Sequence, residues 1–401
     1  MGISIGLVGL GAFGSCFAPL FKSHPRVDRI ALCDREPDRL AKFANLPAFR
    51  DKLKPSDVYN SFEELLKSDL EAVVIITQHW LHARQSVQAL EAGKHVYCAV
   101  PLMCVPDGDE ILDWCDRLIQ TVKRTGLHFM YGETTCYRPQ AMYCRRKAAE
   151  GAFGDFVYAE GEYYHDVEHG LREVYARRMG SASGQEYAQE LLERYGRLRK
   201  GPPMHYPTHS TAGPIWVMGA RMQRVWALPY YSRSGDEWFE DEPSNETALF
   251  EMSNGASCRI SEYREIGFPG REIFRVYGTK ASFEHDTWYD KNRGTRLTVE
   301  QMRDPLPPEV VEAFRGWKKI VAPDPQKLTE QELNDFVGGH GGSHAYLVHE
   351  FCEAIATDRT PAITAWHAVR FTAPGVMAHK SAIRGGEVLE VPDWGDPPVP
   401  R

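Results

Sequence analysis

A glycine-rich turn near the start of the chain constrains the fold most. Gly9, Gly11 and Gly14 follow a short apolar run, and Asp34 ends a second apolar run twenty residues beyond Gly14. In a βαβ unit this spacing gives a tight turn, room for a pyrophosphate against the backbone, and close packing of a helix whose N-terminus attracts phosphate. The pattern predicts a dinucleotide site formed by Gly9, Gly11, Phe13 and Gly14, with Asp34 at the ribose.

The residues at the end of the second run favour one dinucleotide over the other. The carboxylate of Asp34 can accept hydrogen bonds from ribose hydroxyls and would repel a 2′-phosphate, so NAD is favoured over NADP. Arg35 leaves NADP open as the alternative, because its guanidinium can either stack on adenine or pair with the additional phosphate.

The rest of the first 130 residues alternates short apolar runs with helical patterns, which is typical of a parallel sheet. Strands are predicted over residues 4–8, 29–33, 72–76, 95–99 and 127–130. Ser61 and Glu64 have the spacing of a capping box, and Gly93 and Gly126 follow predicted helices, where a left-handed residue is needed. Residues 1–130 are therefore expected to form a doubly wound Rossmann domain.

After residue 130 the pattern changes to longer strands, predicted over residues 156–164, 247–252, 257–262 and 272–277. Asn254 and Gly255 predict a hairpin turn in which both residues take positive φ. Residues 171–200 are interpreted as a charged, exposed insertion, residues 303–328 as a proline-rich loop, and residues 346–356 and 367–383 as helices. Residues 131–401 are therefore expected to form a substrate-binding and oligomerisation domain of the α+β class, with an open, largely antiparallel sheet and a C-terminal helix packed back on the first domain.

Composition and charge exclude several classes of protein. The chain has 401 residues, with 47 Lys and Arg against 55 Asp and Glu, so nucleic acid is not expected as a partner. No run approaches the roughly 20 apolar residues of a membrane-spanning helix, so no membrane partner is expected. The N-terminus lacks the pattern of a secretory signal, and the nine cysteines form no CxxC pair. Together these features predict a cytoplasmic protein with reduced thiols.

Three segments of the first domain carry a resemblance to a known family. Residues 77–82 (TQHWLH), 89–96 (ALEAGKHV) and 99–101 (AVP) resemble the cofactor domain of the Gfo/Idh/MocA oxidoreductases. The resemblance implies NAD(P)-dependent chemistry on sugars and polyols, with cofactor contacts at Thr77, His79, His82, Ala99 and Pro101. The family's usual tripeptide at the third segment is Glu-Lys-Pro, and Val100 cannot transfer a proton as that lysine does.

Segments of the second half point to one branch of the family. Residues 132–137 (GETTCY), 161–166 (GEYYHD), 206–209 (YPTH) and 339–342 (GHGG) resemble the NAD-dependent glycosidases related to α-N-acetylgalactosaminidase, which also lack the lysine. The resemblance implies catalytic roles for Glu133, Tyr206 and His209. Candidates for substrate binding are Tyr137, Tyr164, His165 and His340. The last segment departs from the branch after Gly342, with Ser343 and His344.

His209 is the candidate base that replaces the missing lysine, since an imidazole titrates near neutral pH. If the reaction stops after hydride removal, the protein is a simple sugar or polyol dehydrogenase. If it continues as in the resembling glycosidases, oxidation at C3 acidifies the C2 proton, Tyr206 assists its removal, and Glu133 binds a hydroxyl or orients water. A non-catalytic NAD-bound sensor is the third hypothesis.

Structural interpretations remain open beside these roles. Tyr206 can be a core phenol, Glu133 a surface ion-pair partner, and His165 a side chain held by Asp166. His205 with His209, and His340 with His344, have HxxxH spacing, but Pro207 and the glycines around His340 argue against a helix at either place, so no metal is expected. The uncovered face of the second sheet predicts a homodimer or homotetramer.

Overall fold

The computed structural model describes residues 2–239, 242–291, 293–321, 329 and 339–398. Its first sheet contains six parallel strands in the order β3-β2-β1-β4-β5-β6. These strands are β1 (Ile3–Val8), β2 (Val27–Cys33), β3 (Leu53–Tyr59), β4 (Ala72–Ile75), β5 (His95–Ala99) and β6 (Phe129–Gly132). The expected parallel sheet is confirmed. Its central strands are apolar because they are buried on both faces. The unpredicted strand, β3, lies at an edge, where Pro55 is tolerated.

Helices cover both faces of this sheet, and their ends follow local rules. They are α1 (Gly14–Ser23), α2 (Pro37–Ala44), α3 (Phe62–Leu66), α4 (His82–Glu91) and α5 (Gly108–Thr125). Gly93 and Gly126 take positive φ just after α4 and α5, as expected. The Ser61 hydroxyl accepts a hydrogen bond from the Glu64 backbone N–H, but the Glu64 carboxylate pairs with Lys67 at 2.6 Å. The capping box is therefore only half formed.

The second sheet has nine strands in the order β14-β13-β12-β11-β7-β10-β9-β8-β15. They are β7 (Phe156–Tyr164), β8 (Met222–Tyr230), β9 (Asn245–Met252), β10 (Ser257–Tyr263), β11 (Arg271–Gly278), β12 (Ala281–Glu284), β13 (Thr287–Asp290), β14 (Arg293–Arg296) and β15 (Leu389–Glu390). Among the described strands of this sheet, β7 and β10 alone pair in parallel, so the expected, largely antiparallel sheet is confirmed. The hairpin between β9 and β10 forms, but only Gly255 takes positive φ, because the Asn254 side chain instead accepts the Ala256 N–H.

The second half of the chain contains eight described α-helices. The full set is α6 (Pro139–Ala149), α7 (Arg172–Met179), α8 (Ala182–Tyr195), α9 (Thr208–Met218), α10 (Val299–Met302), α11 (Pro308–Val321), α12 (Gly339–Ala356) and α13 (Ala365–Ile383). The proline-rich segment is not a plain loop, because Pro308 starts α11; its residues 322–328 lie outside the described part. Helix α13 packs on β8 and also on α5 and β6 of the first sheet.

The segment 171–200, expected as a charged, exposed insertion, forms α7 and α8, and four of its residues are buried. Tyr187 and Leu191 are buried, and the Tyr187 ring stacks on Trp80 of the first domain with centroids 4.3 Å apart. The Ala182 N–H donates to the Glu36 carboxylate at 2.9 Å. No residue of α7 and only three residues of α8 are buried, which is why the segment looks exposed in sequence. We call α7 and α8 the cover helices.

Candidate functional site

The glycine loop after β1 forms one side of a cleft at the carboxyl edge of the first sheet. Gly9 has φ of +90°, and a Cβ there would lie 2.3 Å from the Ile76 carbonyl oxygen. A Cβ at Gly14 would lie 1.9 Å from the Gly9 carbonyl oxygen, whereas one at Gly11 would meet no protein atom nearer than 3.8 Å. The loop therefore leaves open space over Gly11, which fits a pyrophosphate at the N-terminus of α1.

This cleft has a volume of about 980 Å³ and lies between the first sheet and the cover helices. Six of the residues expected at the cofactor line it: Gly9, Gly11, Phe13, Asp34, Arg35 and Thr77. Asp34 is buried and accepts the Leu10 N–H at 2.7 Å and the Glu36 N–H at 2.9 Å. The Arg35 guanidinium pairs with Glu186 of α8 at 2.5 Å. The cleft thus has the shape and donor set that a dinucleotide requires.

The other expected cofactor residues lie around the loops after β4 and β5. His82 is buried, with Nδ1 2.7 Å from the Pro101 carbonyl and Nε2 3.2 Å from the Thr77 carbonyl, so it joins two loops rather than facing the cleft. Burial lowers its pKa to about 4. His79 contacts the Cys104 carbonyl at 2.9 Å and lines a second, smaller pocket. Ala99 is buried at the end of β5.

Glu133, His209 and Glu272 come together at the start of the second domain. Glu133 directly follows β6, His209 lies in the first turn of α9, and Glu272 lies at the start of β11. The His209 Nδ1 lies 3.0 Å from the Glu133 Oε1 and 3.3 Å from the Glu272 Oε1. Glu133 and His209 are buried, at 0% and 5% exposure. Because β6 is parallel to its neighbours, this cluster lies at the same sheet edge as the loops after β4 and β5.

Three further side chains orient this cluster. The Tyr206 hydroxyl lies 3.3 Å from the His209 Nε2. Thr135 donates its backbone N–H to the Glu133 Oε1 at 2.9 Å and its hydroxyl to the Glu272 Oε1 at 3.1 Å. Arg138 contacts the Glu272 Oε2 at 2.5 Å and donates to its backbone carbonyl at 2.9 Å. The His209 ring is therefore held at Nδ1 and presents Nε2 to a phenol.

The electrostatics of the cluster hold a proton on His209. Burial lowers the pKa of His209, but the carboxylates of Glu272 and Glu133 outweigh it and raise the pKa to about 9. Burial opposes ionisation of Glu133, yet the charge and hydrogen bond of His209 bring its pKa down to about 2. Burial raises the pKa of Tyr206 well above its usual range. At neutral pH the site therefore holds an imidazolium beside a neutral phenol.

The same three ligand atoms are candidates for a metal ion, since they lie within 4.8 Å of one another. Glu133 and Glu272 supply two negative charges, and protonated His209 with Arg138 supplies two positive charges. The cluster is thus neutral with a proton on His209, and its distances are those of charge-assisted hydrogen bonds. We interpret it as a proton-holding group.

His340 connects this cluster to the glycine loop. Its ring lies parallel to that of His209, with centroids 6.2 Å apart, and its edge meets Phe13 at 5.6 Å. Its Nδ1 is 3.1 Å from the Nε2 of His344. His340 has φ of +54°, a strained conformation that places the ring between the two domains.

Other residues expected at the substrate lie elsewhere. Tyr164 is turned to the outer face of the sheet, where it stacks on Tyr263 with centroids 4.8 Å apart. Its neighbour Tyr163 takes the inward position and meets His209 at 5.0 Å, because side chains alternate along a strand. Tyr137 stacks on Tyr346 instead, with centroids 6.2 Å apart.

His165 lies near the cluster and contacts Tyr163. The Tyr163 hydroxyl is 2.9 Å from the Nδ1 of His165. Asp166 does not hold His165: it lies 3.2 Å from His169 and accepts the Ile266 N–H at 2.7 Å. His205 and His209 do not share a face, because α9 starts after Pro207 and His205 contacts the Val105 carbonyl at 2.8 Å.

Sequence reasoning missed Glu272, Arg138 and Tyr163. Glu272 follows Arg271 at the start of β11, where a charged residue is typical of a solvent-facing position. Arg138 precedes Pro139 at the start of α6, which is a common structural position. The alternation of side chains along β7 could have placed Tyr163 at the site, but only if the inward face of the strand had been known.

Comparison with known proteins identifies the first domain. Residues 3–133 match the family model described as the oxidoreductase family with an NAD-binding Rossmann fold. The resemblance to the Gfo/Idh/MocA oxidoreductases is confirmed. A glycosyl hydrolase family 109 protein of Solibacter usitatus (strain Ellin6076) is 25% identical, over 98% of this chain and 88% of its own length. The alpha-N-acetylgalactosaminidase of Tannerella forsythia is 24% identical, over 91% and 80%.

Solved structures agree with this Gfo/Idh/MocA assignment at the level of the fold. Levoglucosan dehydrogenase in complex with NADH has a TM-score of 0.69 at 16% identity, over 98% of this chain and 100% of its own. Apo scyllo-inositol dehydrogenase from Lactobacillus casei has a TM-score of 0.67 at 16% identity, over 97% and 98%. The expected class, an NAD-dependent oxidoreductase or glycosidase-like enzyme, is confirmed. Within the described residues, no helix is long and apolar enough to cross a membrane, and the cytoplasmic location stays a prediction.

Proposed function

We propose that this protein is an NAD-dependent enzyme that oxidises a sugar or glycoside at C3 and uses this oxidation to cleave the glycosidic bond. The observation that carries the proposal is the cluster of His209 between two carboxylates, at the sheet edge where the cofactor cleft opens. Relatives in glycosyl hydrolase family 109 match nearly the whole chain, which favours cleavage over simple dehydrogenation.

The chain's own residues fit NAD. When bound, NAD would supply acceptance of the C3 hydride and its return. Gly9, Gly11 and Gly14 would hold the pyrophosphate, and Asp34 would accept from the ribose hydroxyls. Arg35 is engaged by Glu186, which supports NAD over NADP.

His209 and Tyr206 are positioned to move a proton between the substrate and the protein. With neutral His209, the Tyr206 hydroxyl can donate to Nε2 while its oxygen accepts from a substrate hydroxyl. With protonated His209, the same chain runs in reverse and returns the proton. A cation bound beside the ring would lower its raised pKa toward neutrality, which favours the first direction.

Glu133 and Glu272 act on this pair as positioning residues. Both contact the Nδ1 side of His209, so they fix the ring orientation and set its basicity. This role differs from the one that the resemblance implies for Glu133, since its carboxylate is fully buried beneath the ring. One of its oxygens has no hydrogen-bond partner within the described residues.

The test uses a panel of 4-nitrophenyl glycosides, beginning with the N-acetylgalactosaminides, and no added NAD. We expect release of the phenol without accumulation of reduced nicotinamide, and loss of release in His209→Ala. The control is His285→Ala, an exposed histidine outside the cluster. Stoichiometric formation of reduced nicotinamide would instead establish a dehydrogenase. The absence of both signals, and of deuterium exchange at C2 in heavy water, would contradict catalysis on sugars.

We also propose that two copies pair through the open face of the second sheet. Trp226, Leu228 and Leu249 are exposed there, at 44%, 49% and 45%. A patch of large apolar side chains on a sheet face is typical of a subunit interface. Light scattering should give at least twice the 45.5 kDa mass of one chain, and Leu249→Lys should lower it. A wild-type mass of one chain would contradict the pairing.

A further inference from the structure

A second pocket lies beside the cofactor cleft, between the cover helices and the loop after β4. Its volume is about 160 Å³, similar to the roughly 150 Å³ of a cavity that holds a benzene-sized group. Aromatic rings form much of its wall: Trp80, Tyr175, Tyr187, Tyr206 and Trp238. Tyr206 connects it directly to His209. We call it the cover pocket.

The cover pocket is positively charged in an acidic protein. Five cationic side chains line it, namely Arg178, Arg197, Arg199, Lys200 and Arg264. Among the described lining residues, Glu237 and Glu242 carry the opposite charge, whereas the whole chain has a net charge of −8. A cleft whose lining carries one sign of charge attracts ligands of the opposite sign.

One of these cations is available to a ligand. Arg199 is paired with Glu242 at 2.5 Å, and Arg264 with Glu262 at 2.8 Å. Lys200 lies over the Trp238 ring at 4.4 Å. Arg178, in the last turn of α7, has neither an ion pair nor a hydrogen bond to its guanidinium within the described part of the chain. It is half-buried, and a desolvated guanidinium without a partner is costly, so it is suited to receive an anion.

The position of Arg178 leaves two kinds of anion to consider. It lines both the cover pocket and the cofactor cleft, so the cofactor phosphates are one candidate. Its charge also contributes to the pKa shifts of His79, His165, Tyr163 and Tyr206, whose largest cause is burial. His79 and Tyr206 line the cover pocket, whereas Tyr163 contacts His209 and His165 contacts Tyr163. The substrate side is thus within reach of the Arg178 charge.

We propose that Arg178 binds a carboxylate of the substrate in the cover pocket, so that the enzyme prefers anionic glycosides. The inference rests on the proposed function, because it names the substrate class of the same site. The carboxylate is carried either by the sugar, as in a uronide, or by the leaving group. A guanidinium fork binds either one with two parallel hydrogen bonds, and the aromatic wall packs against the ring that carries it.

Two matched substrate pairs distinguish these sources. One pair is a 4-nitrophenyl hexoside and the corresponding hexuronide; the other is a glycoside of 4-hydroxybenzoate and that of its methyl ester. We expect the wild type to favour the carboxylate in at least one pair by about 10- to 100-fold in kcat/KM. Arg178→Gln should remove that preference by lowering kcat/KM for the carboxylate member toward that of the neutral member, and Arg178→Lys should keep part of it. Equal kcat/KM within both pairs would overturn the proposal.

Arg177→Gln is the matched control, because Arg177 lies on the same helix and lines only the cofactor cleft. It should leave the carboxylate preference unchanged. If Arg178→Gln weakens NAD binding by fluorescence titration and slows both members of a pair equally, Arg178 belongs to the cofactor site and the proposal is wrong.

A binding measurement separates this inference from the proposed function. Calorimetric titration of the holoenzyme with hexuronate and with the neutral hexose requires no turnover. Tighter binding of hexuronate that is lost in Arg178→Gln, in a protein that cleaves no glycoside, would support the anion site and contradict the glycosidase. Cleavage of neutral glycosides, with no carboxylate preference and no tighter binding of hexuronate, would support the glycosidase and contradict the anion site.

Discussion

The glycine loop after β1 and the cluster around His209 lie at the same edge of the first sheet but are built differently. Gly9, Gly11 and Gly14 lie within six residues, and their requirements come from the backbone of one turn. His209 takes its partners from the end of β6, from the residues before α9 and from β11. A local turn can be recognised from its residues alone, whereas the cluster depends on how segments far apart in sequence pack together.

The largest effect expected is on the glycine loop. Gly14→Ala places a Cβ 1.9 Å from the Gly9 carbonyl oxygen, so the backbone must shift. We expect a lower Tm and a Kd for NAD raised by about 100-fold or more. Gly11→Ala meets no protein atom within 3.4 Å, so it should weaken NAD binding without lowering Tm. Wild-type Tm and Kd in Gly14→Ala would show that the turn is not locally determined.

The next largest effect is expected on the pKa of His209, which the carboxylate of Glu272 on β11 raises. Glu272→Gln removes a carboxylate 3.3 Å from the ring, so the pKa of His209 should fall from about 9 by roughly 1 to 2 units. The pH at which hydride removal becomes fast should fall with it, because the neutral imidazole is the base. NMR titration of the ring protons and the pH profile of kcat measure the shift. Glu284→Gln, on β12, is the control; an unchanged His209 pKa in Glu272→Gln would contradict the assignment.

The cluster around His209 should also make the free energy of unfolding depend on pH. The folded pKa of His209 is raised from 6.5 to about 9, so its contribution is complete below pH 6.5 and is lost as the pH rises through 9. We expect the free energy of unfolding to fall by about 1 to 3 kcal/mol between those limits. His209→Gln should flatten this decline in urea unfolding. A decline of the same size in both proteins would assign it to other groups.

The smallest effect expected is on cofactor choice. Glu186→Ala frees the Arg35 guanidinium, which then becomes available to a 2′-phosphate. We expect the ratio of NADP to NAD affinity to rise by a few-fold, because the pair is exposed and Asp34 is retained. Glu190→Ala, on the same helix as Glu186, removes one of the two carboxylates that pair with Arg84 and should leave the ratio unchanged. A ratio unaffected by Glu186→Ala would show that Arg35 lies outside the ribose site.

Two neighbouring tyrosines, Tyr163 and Tyr164, show that the sequence alone does not predict which side chain of a strand faces the site. The motif at residues 161–166 correctly marks a strand beside His209, but Tyr164 faces outward and Tyr163 inward. Both residues are tyrosines, so polarity cannot tell the two faces apart, and one position along a strand reverses the side chain. Glu272 was missed for a related reason, since it stands next to Arg271 and the sequence does not tell which of the two faces inward.

The cover helices give a second example. Residues 171–200 are rich in charge, and the sequence pattern favours solvent exposure. In the structure the apolar minority, including Tyr187, packs on Trp80 of the first domain. A helix with few apolar residues becomes ordered when a partner surface is available, and nothing in its own sequence identifies that surface.

The sequence by itself determined the parallel sheet, the glycine loop and the place of Asp34, because each depends on short-range backbone and periodicity rules. It also singled out His209 and Tyr206 through their local motif. Only the tertiary structure decided that Glu133 and Glu272 converge on one nitrogen of His209 and hold it protonated. The Coulomb interaction depends on distances between groups far apart in sequence, and the packing of β6, α9 and β11 sets those distances.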